Sequence, residues 1–153
     1  MIDIFEGKYA FLSNFEKSVI VGVDDKIEYP TVEHYFQAHK SLDFKDRITI
    51  ASAPTPGKAK RLGRSVKLRN DWEEVKDAVM LQALRLKFSD EKLRKKLLET
   101  GDDYLIEGNS WHDNYWGMCF CNKCAEGKFS GKNHLGQLLM KVRAECRNQQ
   151  EGQ

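Results

Sequence analysis

No apolar run in this chain approaches the roughly twenty residues that a membrane span requires, and the N-terminus lacks the basic-then-apolar order of a secretory signal. Both absences place the protein in the cytoplasm, away from membranes. Internal repeats and low-complexity tracts are also missing. Cysteine is scarce, with four in 153 residues, and in a cytosolic protein these read as reduced thiols or metal ligands in preference to disulfides. An excess of one charge is lacking too, because 25 Lys and Arg face 23 Asp and Glu. The basic charge is instead concentrated locally, with Lys58, Lys60, Arg61, Arg64, Lys67 and Arg69 inside twelve residues. Such a patch suits a phosphate-bearing ligand. The length is that of one domain, spanning 1–148, followed by a polar, flexible tail over 149–153.

The first thirty residues read as short strands at Ile2–Phe5, Ser18–Val23 and Lys26–Tyr29, with a hairpin turn at Asp24 and Asp25. Helices follow. Thr31 caps one, and Thr55 with Pro56 starts a short one ending at Gly63. Asp71 and Glu74 have capping-box spacing ahead of a long helix carrying Trp72, Val75, Val79, Leu84 and Phe88. Ser89 or Asp90 opens another that Gly101 ends. Tyr104–Glu107 reads as extended, residues 108–131 as a long functional loop, and His134–Arg147 as the last helix. The pattern predicts a mainly α (α+β) domain, an orthogonal helix assembly with a small N-terminal β element.

Tyr29–Lys40 is the most informative stretch. On a helix it places Glu33 and Lys40 about two turns apart on one face, with Phe36 at i+3 and Gln37 at i+4 from Glu33. That face combines acid/base, hydrogen-bonding and stacking groups. The competing reading has Val32, Tyr35, His39 and Leu42 as a core-facing stripe and Glu33 and Lys40 as a solvated outer face.

In the loop, Trp111, Tyr115 and Trp116 surround His112 and Asp113. Aromatic faces of this kind stack on nucleobases for about 1–3 kcal/mol per base, and a neighbouring carboxylate can orient a sugar hydroxyl or stabilise an oxocarbenium ion. The alternative is that Trp111 and Trp116 fill the core while Asp113 caps a turn. Glu33 and Asp113 together make the carboxylate pair that glycoside cleavage employs, one moving protons and the other stabilising charge at C1. Lys40 offers a second route, since a neutral lysine can attack an anomeric carbon and hold the opened sugar as a Schiff base. An exposed lysine paired with Glu33 or Asp43 is the other reading.

Phe11-Leu12-Ser13-Asn14-Phe15, Tyr29-Pro30-Thr31-Val32-Glu33-His34-Tyr35-Phe36-Gln37-Ala38 and Ala59-Lys60-x-Leu62-Gly63-Arg64 resemble the NADAR family. The match continues through Asp71-Trp72-Glu73, Ala83-Leu84-Arg85-x-Lys87-Phe88, Trp111–Gly117, Gly131-x-Asn133-x-Leu135-Gly136 and Leu139-Met140-x-Val142-Arg143. The resemblance implies a mainly helical N-glycosidase without a cofactor, acting on ADP-ribose attached to guanine, within DNA or RNA, or on phosphorylated ribosylamino-pyrimidines of riboflavin synthesis. Both reactions break a C1–N bond on a phosphorylated ribose. It further implies Glu33 as the essential acid, Asp113 as the loop carboxylate, Lys40 as a candidate nucleophile, and Trp72 and Trp116 as pocket aromatics. Ser13 and Asn14 would line the pocket, and Lys60 and Arg64 would hold phosphate at the start of their helix. Lys58, Arg61 and Lys67 read as a solvated face.

One feature lies outside that chemistry. Cys119-x-Cys121-x-x-Cys124 with Cys146, or alternatively with His112 or His134, could complete a four-ligand zinc site. The alternative is buried, reduced thiols. The implied glycosidase reaction needs no metal, so a zinc here would be structural. The competing functional reading is a non-catalytic module that binds ADP-ribose or nucleic acid.

Overall fold

A computed structural model describes residues 1–125 and 129–152. Among them are seven α-helices, one 3-10 helix and two two-stranded sheets, so the chain is mainly α. It forms two compact units, one of Asn14–Lys87 and one that joins Met1–Ser13 to Phe88–Gln153.

In the Asn14–Lys87 unit, β1 (Ile20–Val21) pairs antiparallel with β2 (Glu28–Tyr29). The strands are shorter than the sequence suggests because the turn between them is wide. Gly22 N–H donates to Ile27 O, and Lys26 takes a left-handed φ of 59°. α1 (Val32–Ala38) follows, capped as expected by the Thr31 hydroxyl, which accepts from His34 N–H. α2 (Phe44–Ala51), capped by Asp43, is a helix the sequence reading passed over. α3 (Pro56–Gly63) carries the expected Thr55 cap. In α4 (Trp72–Lys87) the expected capping box gives way to a different use of Asp71, whose carboxylate takes both Arg69 Nε at 2.6 Å and Nη2 at 3.0 Å.

α1 packs against α2, α3 and α4, and all of its residues are buried. The competing reading of one buried stripe and one solvated face therefore fails, because every residue of the helix is buried. The helix also stops at Ala38, so Lys40 lies in the turn beyond it and Leu42 is 69% exposed. That turn is pinned: Lys40 N–H donates to Gln37 O, and Lys40 O accepts from Arg69 N–H at 2.8 Å.

A buried polar cluster anchors the hairpin of the same unit. The Asp25 carboxylate, 5% exposed, accepts from Tyr29 Oη at 2.6 Å and Arg47 Nη1 at 3.2 Å, with His39 Nε2 at 3.7 Å. Burial by itself would raise the Asp25 pKa, but the Tyr29 hydroxyl, the Ile27 N–H, His39 and Arg47 together hold it below the usual carboxylate value. Asp25, expected only as a turn residue, is a structural anion.

In the other unit the expected strand at Ile2–Phe5 reduces to Ile2, which bridges in parallel to Leu105, and Gly7–Leu12 is a 3-10 helix. Tyr104–Glu107 is extended as expected, with Ile2 N–H donating to Tyr104 O and Ile106 N–H to Ile2 O. α5 (Glu91–Glu99) is capped by Asp90, and Gly101 follows it at φ 59°. β3 (Gly108–Asn109) and β4 (Met118–Cys119) pair in parallel at the two ends of the aromatic loop. The short α6 (Asn122–Ala125) comes next. α7 (His134–Glu151) runs past Arg147 into the expected tail and packs on α5. Arg143 ties the two together, donating from Nη1 to Thr100 Oγ1 at 2.8 Å and Asp103 O at 2.9 Å.

Candidate active site

Glu33 is 7% exposed on α1, a burial that carboxylates rarely accept without partners. Gln37, one turn on, donates from Nε2 to Glu33 Oε1 at 2.7 Å. Gly63 of α3 makes room for this pair, since a Cβ there would overlap the Gln37 side chain. Glu33 N–H donates to Asn14 O at 3.1 Å, which brings the Asn14 segment to the start of α1. Asn14 Nδ2 is occupied by Met80 Sδ at 3.6 Å. Among the described residues, Asn14 Oδ1 and Gln37 Oε1 are buried acceptors with no hydrogen-bond donor. Buried polar atoms are rarely left so, and two on residues bonded to Glu33 suit a ligand that brings its own donors.

Lys40 is half-buried, its Nζ 6.0 Å from the Phe36 ring centre. Burial lowers its pKa; Arg64 and Lys60 push the same way and the Glu33 carboxylate opposes them. Lys40 thus lies within electrostatic reach of Glu33, Lys60 and Arg64 although it has left the helix. Lys60 and Arg64 sit in the second half and at the C-cap of α3, not at its start. The helix dipole there disfavours anions, so any hold on phosphate comes from the side-chain charges. Lys58, Arg61 and Lys67 are exposed, in keeping with a solvated face.

Trp72, at the start of α4, is 6% exposed and tilts against Phe36 with centroids 5.0 Å apart. Its indole is chiefly a supporting wall, with little open face for a base.

The remaining candidates belong to the other unit. Asp113 Oδ1 accepts from Tyr115 N–H at 3.2 Å and Trp116 N–H at 2.9 Å, while Asn109 clasps the Asp113 backbone, donating to its O and accepting from its N–H. Asp113 thus caps the loop's turn. The core-filling alternative for the tryptophans fails: Trp111 is 60% exposed and Trp116 only half-buried, edge-on to Tyr115. Asp113→Asn keeps the Oδ1 acceptor and removes the charge. It is expected to retain the fold and to lower kcat by about 10²-fold or more if the charge stabilises the reaction; unchanged kcat would leave Asp113 as a turn cap alone. Ser13 lies at the C-cap of the 3-10 helix, its N–H donating to Ala10 O.

Two groups escaped the sequence reading. Lys87 is 1% exposed, and burial, opposed by Glu16, pushes its amine down to about 8. Its place four residues after Ala83 and seven after Met80, both buried, was the available signal. His34 is buried with Nε2 donating to Ala53 O at 3.0 Å, so its Nδ1 accepts from the Thr31 hydroxyl at 2.8 Å. Burial lowers its pKa and keeps this tautomer neutral.

The NADAR domain matches residues 4–147. The chain belongs to the NADAR family. It is 42% identical over 146 residues to N-glycosidase Npun_R5314 of Nostoc punctiforme, covering 92% of this chain and 87% of that one. It is 45% identical over 138 residues to N-glycosidase YbiA of Escherichia coli, covering 88% and 80%. The NMR structure of YbiA superposes with a TM-score of 0.80 over 100% of this chain and 89% of that one, at 39% identity. A maize chloroplastic riboflavin biosynthesis protein, PYRR, is 36% identical over 155 residues, 90% of this chain but 23% of that protein. The NADAR relatives so named are N-glycosidases, hydrolases of N-glycosyl compounds, as the sequence reading expected of this enzyme. No helix among the described residues is long and apolar enough to cross a membrane.

Proposed function

We propose that this NADAR enzyme hydrolyses the C1–N bond of a phosphorylated N-riboside, with ADP-ribose on guanine and a phosphorylated ribosylamino-pyrimidine as the two substrate classes to be compared. The observation that carries the reading is the buried Glu33 carboxylate, held by Gln37 Nε2 at 2.7 Å. Glu33 takes a proton from the water that attacks C1. The water oxygen bonds C1 as the C1–N bond breaks, and Glu33 returns the proton to the departing nitrogen. Lys60 and Arg64 are assigned the phosphate. Asn14 Oδ1 and Gln37 Oε1 supply acceptors for sugar or base donors.

The test is incubation with ADP-ribosylated guanine DNA, NAD and the ribosylamino-pyrimidine phosphate, with borohydride in a parallel set and mass spectrometry of products and protein. One of the three is expected to be cleaved, giving ADP-ribose and an unmodified guanine still in the DNA, ADP-ribose and nicotinamide from NAD, or a ribose phosphate and the free aminopyrimidine. Cleavage of none would end the reading. A borohydride-stabilised sugar on Lys40 would put its amine in place of the attacking water.

A further inference from the structure

The loop of the Phe88–Gln153 unit gathers four soft ligand atoms that the glycosidase reading leaves unused. His112 Nδ1 lies 3.2 Å from Cys124 Sγ, 3.2 Å from Cys121 Sγ and 4.0 Å from Cys119 Sγ. All four atoms lie within 4.8 Å of one another. A tetrahedral zinc with ordinary Zn–S and Zn–N bonds separates its ligand atoms by roughly 3.5–3.8 Å, and the observed spread brackets that range.

We propose that His112, Cys119, Cys121 and Cys124 bind one zinc ion in a closed Cys3His site that fixes the aromatic loop. Cys146, counted among the possible fourth ligands on spacing, is buried on α7 outside this group, and His112 takes its place. The reason is tertiary. The parallel pairing of β3 with β4 folds the loop back on itself, so that a residue seven positions before Cys119 returns to it.

The surroundings fit a thiolate-bound cation. Cys121 N–H donates to Cys119 Sγ at 3.5 Å and Asn114 Nδ2 to Cys124 Sγ at 3.5 Å, the kind of outer hydrogen bonds that orient metal ligands and spread thiolate charge. Cys119 is held by reciprocal backbone bonds with Ser130, each 2.9 Å. His112 adopts a left-handed φ of 70°. Non-glycine residues hold that conformation only where their surroundings over-determine it, and coordination through Nδ1 would do so. Disulfide formation would use two of the sulfurs and leave the converging histidine unexplained. With four protein ligands the ion has no open position for water, so its role is structural. It clamps both ends of the segment that carries Asp113, Tyr115 and Trp116.

The test is elemental analysis of the full chain purified without chelator, with cobalt(II) exchange as an optical readout. Zinc equimolar with protein is expected, together with the intense visible bands of tetrahedral cobalt and thiolate-to-cobalt charge transfer. Cys146→Ser should keep the metal, Cys121→Ser and His112→Ala should lose it, and Asn114→Ala should weaken zinc affinity by about 10–100-fold. Wild-type protein without zinc that also fails to give cobalt–thiolate bands would overturn the assignment. Metal retained by both ligand variants, or lost from Cys146→Ser, would overturn it as well. The wild-type cobalt spectrum decides the matter even if the ligand variants do not fold.

Discussion

Glu33→Gln is expected to lower kcat on the cleaved N-riboside by about 10²–10⁴-fold, the usual worth of a positioned proton-transfer group. The amide is nearly isosteric with the carboxylate and keeps an oxygen facing Gln37 Nε2, which donates to Glu33 Oε1 at 2.7 Å. Stability should therefore change by less than about 1 kcal/mol. KM should move little, because the phosphate contacts assigned to Lys60 and Arg64 are untouched. Steady-state kinetics beside a urea melt separates the outcomes. A variant with wild-type kcat would remove Glu33 from the chemistry; a loss of activity that tracks a loss of folded protein would make Glu33 a structural residue.

The largest stability effect is expected at Asp25. Asp25→Ala strips the carboxylate from Tyr29 Oη, Arg47 and His39, leaving a buried phenol and a guanidinium that is 13% exposed without their anion. Breaking a buried ion pair from one side costs about 3–5 kcal/mol, which for a chain of this size lowers Tm by roughly 6–20 °C. The same anion sets a pH dependence. Because the folded pKa of Asp25 lies below its unfolded value, its contribution is present above about pH 4 and is lost as pH falls through the folded pKa. His34 and His39 have folded pKa values lowered chiefly by burial. The unfolded chain therefore binds their protons first, and stability also declines as pH drops below about 6.5. Denaturant melts from pH 7 to pH 3 should show both declines in wild type, with the lower one flattened in Asp25→Ala. A pH-independent wild-type midpoint, or an Asp25→Ala melt matching wild type, would sink this account.

The local signals in the chain were reliable where the chemistry is local. Thr31 and Thr55 each cap the helix expected of them, and Asp90, one of two candidates with Ser89, caps α5, because a side-chain oxygen beside an unsatisfied N–H needs no information from elsewhere. Gly101 follows α5 in the left-handed conformation that such a stop requires. Family membership was also legible, since spaced motifs survive without knowledge of their packing. The Asp43-capped helix α2 went unread: half of it is exposed and only Ile50 is fully buried, so no apolar stripe marked it.

What the sequence could not decide was which polar groups are buried and which residues meet across the chain. Periodicity left α1 open between a site-forming face and a wet one, and three helices pack against it and bury Glu33 and Gln37. Spacing suggested Cys146 as well as His112 for a fourth metal ligand, and only the β3–β4 pairing selects the histidine. Asp25 read as a turn residue until the hairpin turned its carboxylate inward to Tyr29 and Arg47. The sequence by itself determined the helical class, the caps and the family, because propensity, capping and motif order are written in neighbouring residues. Tertiary structure alone decided the burial of Glu33, the environment of Lys40 and the convergence of the thiols, because desolvation and proximity depend on segments far apart in the chain.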